Sequence, residues 1–159
     1  MAGEIVYVDM DGVLVDFPEQ IESVHPSIRD ECKRWCAKNG RHHSNFEGLF
    51  PTLPPIPGGV EALVRLSRRF TVYLLSTSPW RNTDAWSDKR RWVEKYLPQV
   101  EKKRLILTHR KDLNRGAYLI DDRPNNGARE FGDHPGQEWI HFGSEDFPDW
   151  DAVLTHLDC

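Results

Sequence analysis

The stretch Ile5-Val6-Tyr7-Val8-Asp9-Met10-Asp11-Gly12 decides how the rest of the chain is read. Four apolar residues run straight into two aspartates and a glycine. A continuous apolar run, rather than an alternating one, suits a strand covered on both faces, as in a parallel sheet. At the strand end, residues i and i+2 project to one side, so Asp9 and Asp11 converge. Two carboxylates that close resist joint ionisation unless a cation or a shared proton intervenes. They therefore read as an acid/base pair, a nucleophile with a partner, or half of a hard-metal site. Gly12 lets the chain turn sharply away. An EF-hand is excluded, because the glycine comes too early and no Glu closes such a loop.

The same grammar recurs downstream. Val72-Tyr73-Leu74-Leu75 runs into Ser76-Thr77-Ser78-Pro79, and Leu105-Ile106-Leu107, Tyr118-Leu119-Ile120 and Trp139-Ile140-His141 are shorter strands. Between them, Val60, Leu63, Val64 and Ser67 fall at helical spacing, as do Trp86, Val93 and Leu97, with Thr83 or Asp84 as N-cap and Pro98 as the stop. Asp149 caps a last helix that buries Val153, Leu154 and Leu157. Strands alternating with helices predict an α/β parallel sheet with ligands at the carboxyl ends of the strands. One interval breaks the rhythm, since the residues between the first and second strands are too many for one crossover helix. Ile28, Cys32, Trp35 and Cys36 share a helical face that ends at Lys38-Asn39-Gly40. Residues 17–55 are read as a small helical cap over the strand ends, and residues 1–16 with 56–159 as the core.

Composition narrows the function classes. A chain of 159 residues is one domain by size, and six Trp, four Tyr and seven Phe argue against disorder. The mean hydropathy of -0.63 gives a wet surface, and no apolar run approaches a membrane span. Three cysteines without framework spacing, and a start lacking signal-peptide character, predict a reducing, cytoplasmic setting. The net charge of -4 is unevenly spread: residues 89–115 hold ten Lys/Arg against Glu94, Glu101 and Asp112, which suits steering of an anionic ligand. A pI near 6.0 and the lack of any RNA- or DNA-binding fingerprint argue against a nucleic acid polymer as partner. An oligomer is possible, but no pattern indicates one.

Ile120-Asp121-Asp122-Arg123-Pro124 is a second acidic cluster at a strand end, and Pro124-Asn125-Asn126 reads as a helix start. An oxygen-only site of this kind suits Mg²⁺. Ser76-Thr77-Ser78 offers hydroxyl and N–H groups to an oxyanion, and Lys111 a fixed positive charge to a phosphate. Cys32 and Cys36 with His42-His43 have the composition of a zinc site, but i,i+4 cysteines on a helix lack knuckle spacing and read as thiols instead.

In this order, Asp9-x-Asp11-Gly12, Thr77, Lys111 and Asp121-Asp122 resemble the four motifs of the haloacid dehalogenase-like phosphohydrolases. Asp9 to Phe17, Pro55-Ile56-Pro57-Gly58, Thr77-Ser78-Pro79, Lys89 with Arg91-Trp92-Val93-Glu94, Ile106-Leu107-Thr108 and Leu119 to Pro124 resemble the 5′(3′)-deoxyribonucleotidases most closely. The likeness runs from about residue 5 to 125 and is poorest from Glu19 to Glu47, the cap that selects the substrate in that superfamily. It implies a three-layer α/β/α fold with a small helical cap inserted after the first strand. It also implies Mg²⁺-dependent hydrolysis of deoxyribonucleoside monophosphates. By the same resemblance Asp9 is the nucleophile and Asp11 the proton donor, while Thr77, Ser78 and Lys111 hold the phosphoryl group. Mg²⁺ would take the Asp9 carboxylate, the Asp11 carbonyl and one of Asp121 or Asp122, with Asp122 favoured. Phe17 and Trp80 are candidates for walling in a nucleobase, with Phe46 and Phe50 behind them, and Lys89 is a further substrate-binding candidate. The rivals are the same chemistry on another phosphomonoester such as a sugar phosphate, a catalytically silent phosphate-binding module, and a zinc-containing interaction module.

Overall fold

The computed structural model describes residues 3–100 and 102–159, so that Met1, Ala2 and Glu101 lie outside the described residues. Five parallel strands form one sheet in the order β3-β2-β1-β4-β5. They are β1 (Ile5–Val8), β2 (Thr71–Ser76), β3 (Leu105–Leu107), β4 (Tyr118–Asp121) and β5 (Glu138–His141). Each covers an apolar run of the sequence, with β2 and β4 reaching one residue further, to Ser76 and Asp121, and β2 and β5 starting one earlier, at Thr71 and Glu138.

Alternation along the strands builds two cores. Val6, Val8, Val72, Leu74, Ile120 and Ile140 pack on one face with α2 (Gly59–Ser67), α3 (Thr83–Tyr96) and α5 (Trp150–His156). Tyr7, Leu75 and Leu119 pack on the other with Ala128 and Phe131 of α4 (Ala128–Phe131). The result is a three-layer α/β/α arrangement. The chain winds outward from β1 through β2 and β3, then returns to the far side for β4 and β5. The carboxyl ends of β1 and β4 thus flank a topological switch point, where open α/β sheets hold their ligands.

Residues 17–55 contain α1 (Pro26–Asn39) and 3₁₀ turns at Ile21–Ser23, His43–Asn45 and Phe50–Thr52, with no strand of the sheet. Gly40, at φ 59°, closes α1 in the left-handed conformation that ends many helices. This insert shares the core of the sheet's first face through Val24, Cys32, Phe46, Leu49 and Phe50. Its carbonyls are also tied to α3: Trp92 Nε1 donates to Leu53 O at 2.9 Å, and Asn82 Nδ2 to Ser44 O and Phe46 O at 3.2 Å. Among the described residues no helix is long and apolar enough to cross a membrane.

Two local expectations are corrected. The N-cap of α3 is Asn82, whose Oδ1 accepts from Ala85 N at 3.1 Å, and not Thr83 or Asp84. Asn82 is buried and serves helix and insert at once, an advantage that depends on tertiary neighbours. The helix after β4 starts at Ala128 and not near Pro124, because Asn126 (φ 55°) and Gly127 (φ 82°) are both left-handed. A Cβ on Gly127 would lie 2.2 Å from Asp112 Oδ1, so this glycine admits the turn that carries Lys111. Asn126 O accepts the Lys111 N–H at 2.8 Å and fixes the turn in place.

Candidate active site

Three strand ends and one crossover turn build the site. At the end of β1, Asp9 N donates to Ile120 O (2.9 Å), continuing the ladder to β4. The carbonyl of Met10 accepts from Val13, Leu14 and Val15, folding the next residues into a tight turn. Trp150 Nε1, from α5, donates to Val13 O at 3.0 Å and pins this turn from behind. Gly12 sits at φ 76°, a conformation that costs a side chain strain.

The end of β4 supplies Asp121 and Asp122. Asp121 Oδ1 accepts the backbone N–H of Arg123 at 3.0 Å, and its Oδ2 accepts from Lys111 Nζ at 2.5 Å. Lys111 Nζ also lies 3.1 Å from Asp9 Oδ1, so one buried ammonium bridges the carboxylates of β1 and β4. Burial alone would lower the lysine pKa, but Asp9 and Asp121 more than offset it and the net direction is upward. Asp122 faces Gly12 and keeps only a loose pairing with Arg123 Nε, at 3.7 Å.

Crowding of the acids marks the site. Burial, reinforced by the charge of Asp9, pushes Asp121 up to about 8 and Asp122 up to about 6. Asp11 is raised as well, by burial first, with Lys89 pulling it down and Asp9 pushing it up. Such displaced carboxylates in a cleft are a physical signature of a functional site. Among the described residues, Asp9, Asp121 and Asp122 are the group of possible metal ligands, with one oxygen from each within 4.8 Å of the others.

The cleft above them has a volume of about 560 Å³. Asp9, Asp11, Thr77, Lys111, Asp121 and Asp122 all line it, so the separated motifs of the sequence meet in one place. Phe17 and Phe50 wall it on the insert side, and Phe17 is held between the His43 ring, at 5.8 Å and 22°, and the Phe50 ring, at 5.8 Å. His42, Ser44 and Asn45 of the insert also face the cleft, as do Arg123, Asn125 and Asn126 beyond β4. Burial lowers the His42 pKa, with His43 adding to the effect.

The remaining sequence candidates divide between the cleft and its surroundings. Ser78 is fully buried and does not line the cleft, and its Oγ has no hydrogen-bond partner. Thr77 Oγ1 lines the cleft but donates its proton to Thr108 O at 2.7 Å, leaving its lone pairs and neighbouring N–H groups for a ligand. Lys89 is 1% exposed and lies behind Asp11. Trp80, 75% exposed, packs on Trp86 and His109 outside the lining, and Phe46 is buried against Trp35. Cys32 and Cys36 form no metal cluster with the two histidines: His43 Nε2 bonds to Pro18 O at 2.7 Å and His42 Nδ1 accepts from Ser44 N.

The sequence motifs did not announce two features. The Asn126-Gly127 pair was visible as turn chemistry, but its role in seating Lys111 needed the fold. The polar wall of Ser44 and Asn45 carried no motif at all.

Comparison with known proteins agrees with this geometry. Residues 3–146 match the family model of the 5′ nucleotidase, deoxy (pyrimidine), cytosolic type C proteins. A Vibrio phage KVP40 protein, provisionally named a 5′(3′)-deoxyribonucleotidase, is 47% identical over 154 residues, covering 96% of this chain and 84% of that one. The human mitochondrial 5′(3′)-deoxyribonucleotidase is 31% identical over 163 residues, covering 86% of this chain and 68% of that one. A hydrolase from Streptococcus pneumoniae TIGR4 shares the fold with a TM-score of 0.53 at 13% identity, over 100% of both chains. A match of this extent places the chain in the 5′(3′)-deoxyribonucleotidase family of phosphoric monoester hydrolases.

Proposed function

We propose that this chain hydrolyses deoxyribonucleoside monophosphates in a Mg²⁺-dependent reaction that passes through an aspartyl-phosphate on Asp9. One observation carries the reading: carboxylates from two strand ends converge on Lys111 at the floor of a cleft walled by Phe17 and Phe50. Its volume lies in the range typical of small-molecule sites. The phosphate would sit on the polar floor and a planar base against the aromatic wall.

The donor set fits a hard divalent cation. All candidate side-chain ligands are carboxylate oxygens, and Lys111 and Lys89 leave the acids of the cluster short of positive charge. Both Asp121 oxygens are engaged, by Lys111 and by Arg123 N, so Asp9 and Asp122 would hold the ion, with the Asp11 carbonyl as in the family resemblance. When bound, Mg²⁺ supplies charge neutralisation and polarisation of the phosphoryl oxygens.

The chain's own residues do the rest. Asp9 attacks phosphorus, forming a new O–P bond as the bond to the nucleoside oxygen breaks. Asp11 gives its proton to that departing oxygen, a contribution worth typically 10²–10⁴-fold. Asp11, now a carboxylate, then takes a proton from water, whose oxygen attacks phosphorus. Orthophosphate leaves and Asp9 is restored. Lys111, 3.1 Å from Asp9 Oδ1, offsets the repulsion between that carboxylate and the phosphate. Thr77 and the N–H groups after β2 hold phosphoryl oxygens.

Free phosphate released from dUMP and dTMP, compared with a panel of sugar phosphates, tests the reading. Preferential turnover of the nucleotides, abolished by EDTA and restored by Mg²⁺, is expected. Preference for sugar phosphates, or hydrolysis indifferent to EDTA, overturns it.

A further inference from the structure

Lys89 lies on α3 with its side chain fully buried, far from the composition expected of a helix in an apolar core. A buried ammonium is costly unless its protons are used. Here they are: Nζ donates to Asp11 Oδ2 at 2.7 Å and to Ser76 Oγ at 3.0 Å, and lies 5.0 Å from the centre of the Phe50 ring. The ring closes the remaining side against water. Lys89 itself does not line the cleft, so these bonds leave it nothing to offer a phosphate. The other Asp11 oxygen, Oδ1, is buried and has no hydrogen-bond partner.

We infer that Lys89 is a positioning residue for Asp11: it anchors Oδ2 and so fixes the carboxyl that passes a proton to the leaving group. The inference rests on the phosphatase reading above and deepens it. When Asp11 gives up its proton, negative charge develops on a carboxylate already faced by a fixed ammonium. That interaction strengthens in the transition state, the condition for lowering a barrier. The Phe50 ring belongs to the insert, so the same element that walls the cleft also covers the Lys89 end of this ion pair. The substrate-binding role expected of Lys89 from the sequence is replaced here by a role exerted through Asp11.

The test exploits leaving groups. An alkyl phosphate such as a deoxynucleotide needs protonation of its departing oxygen, whereas p-nitrophenyl phosphate does not. For Lys89→Met, kcat/KM on the deoxynucleotide should fall by on the order of 10–100-fold more than kcat/KM on p-nitrophenyl phosphate, part of the general-acid contribution. The ratio of the two, measured on one preparation, does not depend on the fraction of protein that is folded. Equal loss on both substrates overturns the inference, because it assigns Lys89 to phosphate binding or to the fold at large. If Lys89→Met yields no folded protein, Ser76→Ala decides by the same ratio, with a smaller shift in the same direction expected and an unchanged ratio overturning the inference. If the wild type turns over p-nitrophenyl phosphate and glycerol phosphate but no nucleotide, the substrate reading fails, and the ratio is then taken with glycerol phosphate as the alkyl ester.

Discussion

Asp122 occupies the space that a side chain at position 12 would need: a Cβ built on Gly12 would lie 2.2 Å from Asp122 Oδ2. The glycine is therefore required twice, once for its φ of 76° and once for the approach of a carboxylate from β4 to the β1 turn. Gly12→Ala should lower the melting temperature, since left-handed strain costs roughly 1–2 kcal/mol. It should also raise the Mg²⁺ concentration needed for half-maximal activity, because Asp122 is displaced. A metal titration of activity alongside a thermal melt checks both, and an unchanged Mg²⁺ requirement would count against Asp122 as a ligand.

Lys111 and its two carboxylate partners are all buried. Breaking such a pair from one side typically costs about 3–5 kcal/mol, because the charges left behind are uncompensated. Lys111→Met should therefore be strongly destabilised at neutral pH and should lose turnover. Acidification, by protonating Asp121, whose carboxyl is pushed up to about 8, should recover part of the lost melting temperature. Melts across pH 5 to 8 against wild type read this directly, and a deficit that does not shrink on acidification would show the carboxylates to be screened by other means.

The raised acids make a prediction for the metal-free protein. A carboxyl whose folded-state pKa lies above its unfolded value binds more protons when folded, so its contribution to stability is present at low pH and lost as pH rises through the folded value. For Asp122, held at about 6, that loss falls between the ordinary Asp value near 4 and about 6. Relative to Asp122→Asn, the metal-free wild type should melt progressively lower across that interval. Added Mg²⁺ should then reverse the difference above pH 6. A difference that stays flat with pH in the absence of metal would contradict the burial of this carboxyl.

Asp9 and Asp121 were legible in the sequence because each follows directly on an apolar run, with Asp11 and Asp122 close behind, and parallel strands place such ends together. Lys111 was legible only through motif order. Its position depends on Asn126 and Gly127, whose left-handed pair appears in sequence as an ordinary turn. The Asn82 cap was overlooked because its side chain answers to the insert as well as to α3, and local spacing alone favours Thr83 or Asp84. Lys89 and Trp80 show the limit from two sides: a lysine proved to be core and a tryptophan surface, since burial at any one position is decided by what the rest of the chain packs there. The length of residues 17–55 marked them as more than one crossover helix, yet Ser44 and Asn45 had no signature, because polar residues that face a cleft look like any loop.

Asp9→Asn should retain the fold, as Asn keeps an oxygen beside Lys111, but turnover of nucleotides should fall by at least about 10³-fold for loss of the nucleophile. Steady-state assays with a melt on the same sample decide it, and activity within tenfold of wild type would remove Asp9 from that role.

The central claim, a carboxylate presented to phosphorus at a site with its own proton carrier, is tested most directly in Asp11→Asn with p-nitrophenyl phosphate. The departing phenolate needs no acid, whereas hydrolysis of the resulting acyl phosphate needs the base that this variant lacks. The account predicts a burst of one p-nitrophenolate per protein followed by arrest, with a phosphoryl group on the peptide that contains Asp9. Continuous turnover, or no burst with an unmodified Asp9, would contradict it.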